Sequence, residues 1–243
     1  MKHLLIVGRT GIGKTTLVKR LARSLTRGPI DGFVTEELRE HETRMGVWLS
    51  PLDGRQVLLA HRRMEQGIRV GPYKMNPSVL DDVAVSVIQR AMRQAVVLFL
   101  DELGGMALRS TRFEQAVQEA FDRGPAIVAT ASLAPVPFLA TLKRRKDVEL
   151  IPLSSANRDA VEEELTVRLR ARCETDERVR MLQQHADRIC EMIVSGDAHH
   201  IDIEIQQTAL RDAVTRLVPD QQALYPLIYE SRFRRLWQQF RHH

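Results

Sequence analysis

Residues 4–17 read LLIVGRTGIGKTTL. The apolar run Leu4 to Val7 has the length of a buried parallel strand. Gly8, Gly11 and Gly13 follow, then Lys14 and Thr15, and beyond them Leu17, Leu21 and Leu25 recur every four residues, as on a helix. Strand, glycine loop, helix is the setting in which G-x-x-x-x-G-K-[ST] holds phosphate. Glycines let backbone N–H groups approach phosphate oxygens with no Cβ in the way. The helix start adds free N–H groups and the positive end of its dipole. Lys14 reaches β- and γ-phosphates as a point charge, and the Thr15 hydroxyl suits Mg²⁺.

A phosphate loop needs a carboxylate for its metal. AVVLFLDELGG (95–105) supplies one: an apolar run ends in Asp101 and Glu102. An acid at the end of a buried strand lies at the carboxyl edge of the sheet, where ligands sit in open α/β folds. Asp101 is therefore expected in the Mg²⁺ shell, through water. Glu102 is expected to orient and deprotonate an attacking water. An acid beside the magnesium aspartate tilts the chemistry toward hydrolysis rather than transfer to another acceptor.

Between these segments, residues 32–63 predict a β meander with turns near His41 and at Asp53-Gly54. Glu36, Glu37 and Arg39 lie just past a strand and could face the site, with Glu37 better explained as a solvated edge residue. Residues 70–80 read as loop, Pro72 and Pro77 acting as breakers. Helices are expected at about 78–94 and 111–123, then a strand over 125–132 that ends in Thr130, best explained as a capped strand end, with sensing of a γ-phosphate the sharper alternative. A loop, a short helix, a strand over 148–153 and a helix capped by Ser155 or Asn157 come next. The run Lys143-Arg144-Arg145-Lys146 is the densest basic patch. A solvated face explains it best, with Arg144 or Arg145 as an arginine finger the sharper alternative.

The ordered series GRTGIGKTTL, GFVTEELRE, LDGR, VGPY, VVLFLDELGGMAL, LKRRKDVEL and NRD resembles the nucleoside-triphosphatase family first described from thermophiles, also called the cancer-related nucleoside-triphosphatase family. The resemblance covers residues 1–165. It implies a RecA-like, mostly parallel α/β sheet flanked by helices, and slow Mg²⁺-dependent hydrolysis of ATP, GTP and other triphosphates with broad base tolerance. It implies two nucleotide-binding segments. One is Gly8, Arg9, Thr10, Gly11, Ile12, Gly13, Lys14, Thr15 and Thr16. The other is Val97, Leu98, Phe99, Leu100, Asp101, Glu102, Leu103 and Gly104. Lys14 and Glu102 would be catalytic, and Thr15 and Asp101 would serve the metal. The chain departs from the family pattern DEIGK-ME at Gly105 and Ala107, where lysine-like and glutamate-like positions fall.

The 243 residues are 44% hydrophobic, enough for a sizeable core. The net charge of +5 is a mild excess on a mixed surface, so nucleic acid is not an expected partner. Cys173 and Cys190 form neither a zinc set nor a disulfide framework, which suits a reducing cytoplasm. No run approaches the ~20 apolar residues of a membrane helix.

Residues 166–243 lie outside the resemblance and are expected to be a helical extension, packed on the core or used for docking. Helices are expected near 158–172, 174–195, 202–218 and 220–241, broken at Gly196 and Pro219. Tyr225, Tyr229, Phe233 and Trp237 step by four and Phe240 follows, flanked by Arg232, Arg234, Arg235 and Arg241. Burial explains such a stripe best; the alternative is docking of a protein partner or a second copy. His199-His200 is a poor metal pair because adjacent side chains diverge. Two functions compete with hydrolysis: a nucleotide-dependent switch with little turnover, and a P-loop kinase whose lid would be 62–76, with Arg62, Arg63 and Arg69.

Overall fold

A computed structural model describes residues 2–25, 28–133 and 135–241. Ala134, in the loop expected after the 125–132 strand, lies outside them. The chain divides into two compact units, Met1–Cys173 and Glu174–His243.

The first unit is built on strands β1 (His3–Val7), β2 (Ile30–Glu40), β3 (Thr43–Pro51), β4 (Val57–His61), β5 (Ile68–Val70), β6 (Tyr73–Met75), β7 (Val97–Leu103), β8 (Ala126–Ala131) and β9 (Val148–Pro152). They form one nine-stranded sheet in the order β5-β6-β4-β3-β2-β7-β8-β1-β9. From β2 to β9 every pairing is parallel; from β2 outward to β5 every pairing is antiparallel. The mostly parallel flanked sheet matches the expected fold class.

Period-two alternation on the central strands sorts side chains into two cores. On β1, Leu5 joins the layer of α2 (Val85–Gln94), α3 (Thr111–Arg123) and α4 (Pro137–Lys143). Leu4 and Ile6 join the opposite layer, with Leu17 and Leu21 of α1 (Lys14–Ser24) and Leu165, Leu169 and Cys173 of α5 (Arg158–Ser195). All three β1 residues are fully buried. Truncating one to alanine costs ~2–5 kcal/mol.

β2 is the hinge of the design. Ile30 to Phe33 pair in parallel with β7, whereas Phe33 to Glu40 pair antiparallel with β3. Gly32 permits the close approach: at φ 145°, a Cβ there would lie 2.2 Å from the Phe99 carbonyl oxygen. Asp31, nearly buried, is locked to α2 by a bidentate pair from Arg90 at 2.6 and 2.8 Å.

In the first unit two expectations need correction. The stretch 70–80 is not all loop: β5 and β6 form a small hairpin, turned by Gly71 (φ 58°) and Pro72. The positive φ falls to glycine, and the proline N, lacking a hydrogen, sits in the turn where the ladder asks nothing of it. Asn157 does not use its side chain as an N-cap. Its Oδ1 accepts from Ser154 N at 2.8 Å and Ser154 Oγ at 3.0 Å, and its Nδ2 donates to Pro152 O at 2.8 Å, tying the start of α5 to the end of β9.

α5 runs without the expected break near residue 173, because no glycine or proline interrupts 158–195, and its residues from Glu174 belong to the second unit. It stops at Gly196, which takes φ 80°. α6 (His200–Leu217) follows, then short 3₁₀ and π turns over Pro219–Leu224 and Pro226–Glu230, then α7 (Ser231–Phe240). Leu182, Ala186, Ile189 and Ile193 of α5 recur at helical spacing and meet Ile203, Leu210 and Val214 of α6. Tyr225 and Phe233 of the aromatic stripe are buried in this core, Tyr229 and Trp237 are half-buried, and Phe240 is exposed. Most of the stripe therefore serves the unit's own packing. Arg241 donates to the carbonyls of Met192, Ile193 and Ala198, satisfying the end of α5, and lies over the Trp237 ring. His200 packs edge-on against Trp237 at 4.7 Å and faces Glu204 at 3.6 Å. No helix among the described residues is long and apolar enough to cross a membrane.

Candidate active site

The loop between β1 and α1 ends on Gly13, which is left-handed at φ 101° and is the residue from which α1 begins. That conformation turns the chain from strand to helix and leaves the first N–H groups of α1 without intrahelical partners. Lys14 is 5% exposed and folds back along the loop, donating to Gly8 O at 3.1 Å and Arg9 O at 3.2 Å.

Asp101 is wholly buried at the carboxyl end of β7. Thr15 Oγ1 donates to its Oδ2 at 2.8 Å, Thr130 Oγ1 donates to its Oδ1 at 2.5 Å, and Thr35 N adds a long bond of 3.4 Å to Oδ2. Burial pushes the Asp101 carboxyl above the ordinary value, while the Thr130 and Thr15 hydroxyls pull it back. The donor set is hard oxygen throughout, and a carboxylate held against a threonine hydroxyl fits the way Mg²⁺ is held beside a phosphate loop. Thr130 therefore positions Asp101; its hydroxyl is engaged there and not aimed at a phosphate. Glu102, half-buried, turns toward Lys14, with Oε1 3.6 Å from Nζ and no hydrogen bond to that oxygen.

Because β2 outruns its parallel partner, Thr35, Glu36 and Glu37 overhang the loop. With Gly11, Lys14, Thr15, Lys19, Arg39, Arg44, Val47 and Glu102 they line a cleft of about 390 Å³. Lys19, one turn after Thr15, is ion-paired with Glu36 and holds that carboxyl below its ordinary range, against the opposing effect of burial. Glu37 is not a remote edge residue: it binds Arg39 at 2.6 Å and Arg44 at 3.2 Å on the cleft wall.

Several expected residues do other work. Val97, Leu98, Phe99 and Leu100 are fully buried inside the sheet and carry Asp101 to the cleft without facing it; Leu103 is buried as well. Arg145 is no finger. It is bound to Asp122 at 2.5 Å and Asp147 at 2.7 Å, and Asp147 O accepts from His3 N at the opposite end of β1. Arg144, at the end of α4, shares that amino edge. The segment 62–76 is occupied by the β5–β6 hairpin, where Arg62 lies over the Tyr73 ring at 5.7 Å, and none of Arg62, Arg63 and Arg69 lines the cleft. A larger hollow of about 650 Å³ between α3 and α4 holds no phosphate-binding loop.

Sequence reasoning missed Lys19, Thr35, Arg44 and Arg158. The i, i+4 step from Thr15 could have found Lys19. Thr35 and Arg44 depend on β2 pairing in two directions, which no local pattern announces. Arg158 lies over the loop, its Nη1 3.3 Å from where a Cβ on Gly13 would be. The NRD triplet was the available signal.

Residues 3–166 match the model of a family described as NTPase. The chain is 37% identical over 162 residues to nucleoside-triphosphatase THEP1 of Thermotoga maritima, covering 67% of this chain and 92% of that protein. It is 28% identical over 176 residues to the cancer-related nucleoside-triphosphatase homolog of Mus musculus, covering 66% and 92%. The crystal structure of THEP1 from the hyperthermophile Aquifex aeolicus superposes with a TM-score of 0.60 at 30% identity, covering 68% of this chain and 96% of that one. The solution structure of a human cancer-related nucleoside triphosphatase gives 0.62 at 27%, covering 70% and 98%.

Proposed function

The chain belongs to this nucleoside-triphosphatase family, and from that premise we propose that it hydrolyses ATP, GTP and other nucleoside triphosphates with Mg²⁺, slowly and with little regard to the base. The observation that carries the reading is that Lys14, Thr15 and Glu102, from two distant segments, line one cleft, with Asp101 buried behind Thr15 and bonded to its hydroxyl.

Loop N–H groups cradle the β-phosphate, and Lys14 leaves the Gly8 and Arg9 carbonyls for the β- and γ-oxygens. Thr15 and Asp101 would hold Mg²⁺, which when bound supplies neutralisation of charge on the phosphate oxygens. Glu102 aligns a water and accepts its proton as the new O–P bond forms in line and the β–γ bridge breaks, releasing the nucleoside diphosphate and inorganic phosphate. A second reading, triphosphate binding with little turnover, draws support from Gly105 and Ala107.

The test is steady-state phosphate release with Mg²⁺ across ATP, GTP, CTP and UTP. Turnover is expected on all four and is expected to fall in both Lys14→Ala and Glu102→Gln. Wild type that binds triphosphate but releases no more phosphate than Lys14→Ala would leave only the second reading.

A further inference from the structure

α1 carries two adjacent polar rows, about 100° apart around the helix. Thr15 and Lys19 face Asp101 and Glu36, on the β7 and β2 side of the loop. Thr16 and Arg20 belong to the other row. Arg20 Nη1 donates to Glu162 Oε2 of α5 at 2.9 Å. A second, smaller hollow of about 180 Å³ lies there, lined by Thr16, Leu17, Arg20, Arg158, Asp159 and Glu162. Its volume suits a single ring system rather than a whole nucleotide.

The two hollows share Thr16 and meet at the loop. The metal and γ-phosphate end of a triphosphate is tied to the Asp101 side. The chain of phosphates must then pass Gly13 and Thr16, so the remainder of the molecule leaves on the β9 side. There the exposed Arg158 guanidinium overhangs the loop. A side chain at Gly13 would meet it, at 3.3 Å from Nη1 and 3.6 Å from Cδ. Arg158 has no ion pair among the described residues. Its backbone is nonetheless fixed, because Asn157 is bonded to Ser154 and Pro152.

We propose that the nucleoside half of the substrate lies in the groove between α1 and the start of α5, with the Arg158 guanidinium stacked on the base and the Arg20-held Glu162 carboxylate accepting from a ribose hydroxyl. The proposal rests on the triphosphatase reading above. A guanidinium recognises the face of a ring, which every base has, and reads no edge pattern. Such a contact binds the base while tolerating all four.

The test is calorimetric titration, with Mg²⁺, of the non-hydrolysable β,γ-imido analogues of ATP and GTP and of inorganic tripolyphosphate. Arg158→Ala is expected to weaken both nucleotides by about tenfold and leave tripolyphosphate unchanged. Arg158→Lys, which keeps the charge but loses the plane, is expected to behave like the alanine variant. Equal weakening of tripolyphosphate would make Arg158 a phosphate ligand and overturn the proposal. Unchanged nucleotide affinity, or full rescue by lysine, would overturn it too. Wild type that binds none of the three probes would instead remove the triphosphate site itself, and the groove assignment with it.

Discussion

Glu102 Oε1 lies 3.6 Å from Lys14 Nζ, is buried, and accepts no hydrogen bond. A carboxylate oxygen at the cleft left without a donor has its acceptor capacity free for the hydrogen of an incoming water. Glu102→Gln keeps the shape and removes the base. It is expected to lower kcat by ~10²–10⁴-fold while leaving the affinity for Mg²⁺-ATP analogues within a few-fold. Parallel measurement of kcat and analogue binding separates the roles. Loss of affinity with kcat intact would assign Glu102 to binding.

Thr130 tests how far Asp101 depends on its hydroxyl donors. Thr130→Val preserves volume and removes the 2.5 Å bond to Oδ1. A buried acceptor left without its donor costs ~1–3 kcal/mol. The expected result is a lower melting temperature and a higher Mg²⁺ requirement, both largely recovered in Thr130→Ser. Denaturation and Mg²⁺ titration of the three proteins check this; a valine variant as stable as wild type would mean the bond carries nothing.

Arg145 is expected to matter for acid stability and not for turnover. The Arg145 guanidinium holds Asp147 below its ordinary value near 3.8, and at Asp122 the Gln118 amide and then Arg145 lower the carboxyl in the same way. For depressed carboxylates the stabilisation is complete above the unfolded value and is lost as pH falls through the folded one. The gap in stability between wild type and Arg145→Ala should therefore be open at neutral pH and close below about pH 4. Melting temperatures from pH 7 downward check it. Phosphate release per folded molecule should be unchanged, since the residue sits at the edge of the sheet opposite the loop.

The contrast between Lys14 and Arg145 shows what one sequence can reveal. The loop and Asp101 were legible because each is announced locally, by glycines after an apolar run and by an acid ending one. Which edge of the sheet a basic residue reaches depends on where its strand enters, and β9 runs parallel to β1, so the residues before it lie at the far end. Thr35 reaches Asp101 only because β2 continues past Phe33, the last residue that pairs with β7, and that register is tertiary. The β5–β6 hairpin was hidden by Pro72, a breaker inside a strand but harmless in its turn.

Gly105 and Ala107 separate a slow hydrolase from a binding protein. The resemblance implies a lysine at the first position and a glutamate at the second. Around Gly105, no atom lies within 4 Å of where a Cβ would be, so a lysine can enter without displacing anything. Ala107 is different: it is 5% exposed and packed in the core with α2 and α3, where a glutamate would bury a charge. Gly105→Lys is therefore expected to fold normally and, by adding a cation two residues beyond β7, to raise kcat by about tenfold or more. Ala107→Glu is expected to lower stability by several kcal/mol. Single-turnover phosphate release on Gly105→Lys decides the matter. A rate equal to wild type would mean that the missing side chain does not limit this chain, and that its rate is set by Glu102 and the loop alone.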